Sequence, residues 1–247
     1  MNKRHFTLIE LMAAMVVLLI MMGFLFHFII NSQNLWSASE RNARIYENAQ
    51  VFFDLLDRDL GGAMVSTVPG QEICFWIGDP TNTAEPFLSM VSMAPPLDNA
   101  SEPNVYEIHY TLEQIDPNNY RINRSIVKQK NIVAADDAHW DFYGVPKGTV
   151  LPVWAGPTSR GTATEVIDGV GPAHTSDPDF PLLVACRDSE GNLIATGRSY
   201  AQLPAAIRVT LTLVDQKAMG LGLGGTALDS RLDASRRKFT RVFLLSH

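Results

Sequence analysis

Residues 6–30 read FTLIELMAAMVVLLIMMGFLFHFII, and the rest of the chain is interpreted outward from them. From Leu11 to Phe26 there is no charged residue. Phe6, Leu8 and Ile9 extend the apolar run on one side, and Phe28, Ile29 and Ile30 on the other. A helix crosses the hydrocarbon core of a bilayer with about 20 apolar residues. The stretch therefore predicts a membrane-spanning helix over 6–30. Lys3 and Arg4 precede it and hold the N-terminus on the cytoplasmic side, so the remainder lies on the far side. A secretory signal peptide carries small residues at a cleavage site after its apolar run. Here Asn31, Ser32, Gln33 and Asn34 follow, and the helical pattern continues. An uncleaved signal anchor is the plainer alternative.

One carboxylate, Glu10, interrupts the run. A charge at the centre of a bilayer costs roughly 2.5–3.5 kcal/mol on insertion scales, and less near an end. Such a residue calls for a partner. The nearest is a free amine at Phe6, four residues earlier and on the same helix face. That amine exists only after removal of Met1–His5, a short basic leader. A carboxylate in a first helical turn also meets the positive end of the helix dipole. His27, near the far end of the span, is read either as a proton site or as an interfacial residue reaching the headgroups.

Phe6-Thr7-Leu8-Ile9-Glu10-Leu11-Met12 resembles the N-terminal block of type IV pilins and type II secretion pseudopilins. The resemblance implies cleavage between His5 and Phe6 by a prepilin peptidase, then N-methylation of Phe6. It implies that Glu10 neutralises the new amine of a neighbouring subunit as helices stack into a filament. The family has Gly, sometimes Ala, immediately before the cleaved bond, whereas His5 stands there in this chain.

Past Asn31 the helical period persists. Ala38, Ile45, Ala49, Phe52, Leu56 and Leu60 recur at three- and four-residue spacing, with Tyr46 and Phe53 beside them. Gly61-Gly62 supplies a stop. One helix from about Phe6 to Leu60 is expected, with 6–30 in the membrane and 31–62 amphipathic. The period then changes to two over 63–247. Ile73–Ile77 and Leu88–Met93 read as short strands. In Val105–Leu112, Tyr106, Ile108, Tyr110 and Leu112 share one face, and Glu107, His109 and Thr111 the other. The turn Asp116-Pro117-Asn118-Asn119 joins this segment to Tyr120–Ile126 as a hairpin. Ala205–Val214 and Phe239–Leu245 read as strands, whereas Ile132–Thr196 reads as long loops with short strands, Leu182–Cys186 among them. A long helix followed by antiparallel strands is the α+β arrangement, with long loops. Phe53–Leu60, Val105–Leu112 with Tyr120–Arg124, and Leu203–Val209 look like blocks of J-type minor pseudopilins and W-type minor pilins. That likeness implies a place near the tip of a pseudopilus, in a small complex of minor subunits that starts assembly.

The 247 residues leave room for one mid-sized domain after the membrane helix. A net charge of −6 does not suggest a nucleic-acid binder, which usually shows a basic face. Cys74 and Cys186 are too far apart for a CxxC pair; outside the cytoplasm they permit one disulfide, and two unpaired thiols are the alternative. Gly220, Gly222 and Gly225 have GxGxxG spacing without the strand and helix a dinucleotide site needs, so a loop is expected. Arg231, Arg236, Arg237, Lys238 and Arg241 form a basic cluster read as a solvated loop, with binding of phosphate or of a partner's acidic face as the alternative. Asp136, Asp137, His139 and Asp141, or His174, Asp177 and Asp179, lack ligand spacing. No cofactor is expected, although calcium occurs in some pseudopilins. No catalytic set is supported.

The leading expectation is a minor pseudopilin of a type II secretion-like machine, a single-pass inner-membrane protein with its domain outside the cytoplasm. Its partners are a prepilin peptidase and other pseudopilins or pilins in a mixed filament. A minor pilin of a type IV pilus or DNA-uptake filament is the alternative within the superfamily. A membrane-tethered enzyme or ligand-binding domain is the alternative outside it.

Overall fold

The computed structural model describes residues 8–67, 73–83, 85–93, 105–116, 119–128, 163–171, 181–200, 202–215 and 235–245. Helix α1 spans Leu8–Gly61, followed by eleven strands among these residues. The chain divides into two compact units, Met1–Arg44 and Ile45–His247.

The described part of the first unit is the N-terminal portion of α1. Its apolar side chains are exposed in the isolated chain, Leu18 and Leu19 among them. The window that is long and apolar enough to cross a membrane is wholly unburied. Water alone does not sustain such a surface over several turns, so a lipid or protein environment is required.

In the second unit, Ile45, Ala49, Phe52, Leu56 and Leu60 are buried, together with Phe53. This is the stripe that the three- and four-residue spacing predicts. It packs on an antiparallel sheet. The strands are β1 (Ala63–Met64), β2 (Phe75–Ile77), β3 (Pro86–Ser92), β4 (Tyr106–Asp116), β5 (Asn119–Lys128) and β6 (Ala163–Val170). They continue with β7 (Leu182–Arg187), β8 (Leu193–Ile194), β9 (Arg198–Tyr200), β10 (Ala206–Leu213) and β11 (Arg237–Leu244). The order is β8-β7-β10-β6-β5-β4-β3-β2-β9, with β1 on β3 and β11 on β10. The fold is thus the expected α+β arrangement. The β4–β5 hairpin aligns Tyr110 with Arg124 and His109 with Ser125. Ile207, Val209, Leu211 and Leu213 of β10 enter the core beside Tyr106, Ile108, Tyr110 and Leu112 of β4.

Two departures from the sequence pattern, and one feature that it left open, have physical causes. Glu107 and His109, on the second face of β4, are both buried. This region of the sheet is covered on both sides: Ile73, Trp76 and Val91 form a separate buried cluster there. Alternation separates the faces of a strand, but does not say that one of them meets water. The basic segment is strand rather than loop from Arg237 onward, since β11 pairs with β10 along its whole length. Ile73 lies outside β2 and makes only an isolated bridge to Ser66.

Candidate functional site: the N-terminal helix and its charged anchor

Glu10 lies in the first turn of α1, as the sequence pattern requires. It is the only Asp, Glu, Lys or Arg between Leu8 and Ser39. The oriented amides of a helix N-terminus favour a carboxylate there. His5 and Phe6, the residues of the expected cleavage and methylation, lie outside the described residues. At the other end of the apolar run, the Asn31 side-chain amide donates to His27 Nδ1 at 2.8 Å. An imidazole tied one turn onward to a polar residue fits the interfacial reading of His27. Glu40 and Arg44 pair at 2.6 Å across one turn of exposed helix.

The second unit holds the C-terminal end of the helix with a buried charge cluster. Asp59 occupies the apolar stripe three residues after Leu56 and is fully buried. It accepts from Tyr110 Oη at 2.6 Å and from Arg124 Nε and Nη2 at 2.6 and 2.9 Å. The arginine fork meets the carboxylate in bidentate fashion, the geometry in which such pairs are strongest. Burial and the adjacent Asp59 charge push the Tyr110 hydroxyl well above its usual value. Burial opposes the Arg124 charge, yet the hydrogen bond and attraction of Asp59 outweigh it and raise its pKa. The trio is therefore fixed as a donor phenol, a guanidinium and an acceptor carboxylate, a clamp rather than an acid–base pair. Ser92 Oγ adds a bond to the Asp59 carbonyl at 2.8 Å, satisfying a backbone group near the helix end. At the surface, Arg241 of β11 reaches Asp54 at 2.8 Å and Asp57 at 3.1 Å on the same helix.

The sequence reading missed the trio, although a signal was present. Asp59 falls on the apolar stripe, and Arg124 stands between Ile122 and Ile126 in the inward register of β5. Two opposite charges at core positions of adjacent elements predict one another. On the opposite face of the sheet, His109 Nδ1 bonds Ser89 Oγ at 2.8 Å and His109 Nε2 lies 3.1 Å from Glu107 Oε1.

Both cysteines are free thiols, so the disulfide entertained from the sequence is not formed. They pack in different clusters: Cys186 in the main core and Cys74 beside Ile73, Trp76 and Val91. Burial pushes the Cys186 thiol up to about 12. Among the described residues no group of three or more His, Cys, Asp or Glu side chains is placed to hold a metal ion. Both acidic loops considered for calcium, the Gly220–Gly225 segment and Arg231 lie outside the described residues.

An exposed apolar helix with one carboxylate in its first turn, leading into an antiparallel sheet, is a pilin-like α+β architecture. Residues 2–26 match the family model of the prokaryotic N-terminal methylation motif, which supports a type IV pilin-like prepilin signal. The motif and the long apolar helix together support a membrane-anchored protein. No curated protein matches the chain.

Proposed function

We propose that this chain is a minor pseudopilin of a type II secretion-like pseudopilus, acting in assembly or at the tip through stacking of α1. A prepilin peptidase cuts between His5 and Phe6, and Phe6 is then N-methylated. Glu10 pairs with the Phe6 amine of a neighbouring subunit in the membrane. The helix spans the inner membrane once, with the N-terminus cytoplasmic and the domain outside.

The observation that carries the reading is the position of Glu10. It is the one Asp, Glu, Lys or Arg in the apolar run and lies within the stretch that matches the methylation motif. A carboxylate in hydrocarbon persists where a partner repays its desolvation. Glu10→Ala separates this reading from that of a helix serving only as a tether. The variant loses a charge and is expected to insert well, yet to fail to co-purify with other pseudopilins. Normal assembly by Glu10→Ala refutes the assembly role and favours the tether.

A further inference from the structure

Leu35 and Trp36 lie on α1 within the first unit, beyond the apolar run. Both are exposed, at 73% and 76%. Polar residues Asn31–Asn34 precede them, and the exposed Glu40–Arg44 ion pair follows. A large apolar pair between two polar zones is not an extension of the membrane span. The helix from Leu8 to Ile30 rises about 33 Å at 1.5 Å per residue, slightly more than a hydrocarbon core of about 30 Å. Trp36 comes six residues after Ile30, about 9 Å further along the axis. Helical side chains lean toward the N-terminus, which brings the indole back toward the bilayer. The interfacial layer lies at this height, and indole rings favour it because one end is apolar and the N–H can bond a headgroup. Ser37 beside it turns its hydroxyl onto the Gln33 carbonyl at 2.9 Å, reducing local demand for water.

We propose that Leu35 and Trp36 form an interfacial anchor that seats in the lipid headgroup layer on the domain side. It sets how far the helix projects from the bilayer before Glu40. Lipid is the occupant because the pair follows an apolar run of membrane length, separated from it by Asn31–Asn34, and sits about one headgroup layer beyond its end. The inference rests on the membrane-spanning reading of α1.

The test uses the full chain at low protein-to-lipid ratio in phosphatidylcholine–phosphatidylglycerol vesicles. One vesicle set carries bromine near the headgroup end of the acyl chains, the other near the bilayer centre. Tryptophan emission is compared between wild type and Trp36→Phe, which leaves Trp76, Trp140 and Trp154 in place. The expected result is stronger quenching by the shallow bromines in wild type, and loss of that difference in Trp36→Phe. Three outcomes overturn the proposal: the same shallow quenching in the variant, stronger quenching by the deep bromines, or no quenching of the membrane-inserted wild type. The last would assign Trp36 to contact with protein rather than lipid. Failure of the wild type to float with the vesicles would instead overturn the membrane-spanning reading, and this inference with it.

Discussion

The Asp59–Arg124 pair is best tested by a double-mutant cycle. Asp59→Leu strands a buried guanidinium and the Tyr110 hydroxyl. Arg124→Met leaves a fully buried carboxylate with only the Tyr110 hydroxyl bond and the more distant Arg58 Nη2, 3.7 Å away. Breaking a buried pair from one side costs about 3–5 kcal/mol, because the surviving charge keeps its desolvation penalty. For a domain of this size that lowers Tm by on the order of 10 °C. Asp59→Leu with Arg124→Met removes both charges and is expected to cost no more than about either single change, a coupling of roughly 3 kcal/mol. The assay is urea and thermal unfolding of the full chain in detergent, followed by near-ultraviolet circular dichroism. That signal reports packed aromatic residues such as Trp76 and Tyr110, both almost fully buried. Single losses below about 1 kcal/mol, or a double loss equal to the sum of the singles, would refute the clamp. Arg241→Ala is the internal control: its partners Asp54 and Asp57 are exposed, so it costs at most about 1 kcal/mol.

Three further outcomes are expected. Gly78→Ala places a Cβ 2.1 Å from the Pro86 carbonyl oxygen, a backbone atom with no rotamer to change; it should destabilise by at least about 1–3 kcal/mol in the same unfolding assay. A maleimide added to the native protein should react at Cys74 before Cys186, with Cys186 labelled only on unfolding; peptide mass spectrometry reads this, and a Cys74–Cys186 linked peptide would contradict it. Stability should fall as pH rises. Native Cys186 and Tyr110 both have raised pKa values, so the unfolded chain releases these protons first and is favoured. The decline should begin near pH 9 for Cys186, extend toward about 12, and gain a Tyr110 contribution above about pH 10. Urea midpoints from pH 7 to 11 measure it, and a flat profile above pH 9 would count against both burial assignments.

Much of this architecture is legible from periodicity alone. The helix stripe from Ile45 to Leu60 and the alternating strands β4 and β10 depend on local pattern, and local pattern is what sequence carries. Strand β6 was hidden because only its second half enters the core: Ala163, Thr164 and Glu165 are exposed, while Ile167, Gly169 and Val170 are buried. The sheet order could not be read, since β6 lies between β5 and β10 through long-range pairing. Alternation sets Glu107 and His109 on the second face of β4 but cannot report the layer that buries them. Asp59 was passed over because a carboxylate on a stripe is usually a boundary residue; only with Arg124 opposite does it become a core residue. Glu10 was legible from the start, because hydrocarbon offers an isolated charge few excuses.

The central claim is that this chain is matured as a prepilin, so that Glu10 acquires an amine partner at Phe6. Intact-mass and N-terminal peptide mass spectrometry of the protein purified from membranes tests it most directly. The expected species begins at N-methylated Phe6, despite His5 at the position before the cut. A mature protein that still carries Met1–His5 would contradict the account and leave Glu10 without its proposed partner.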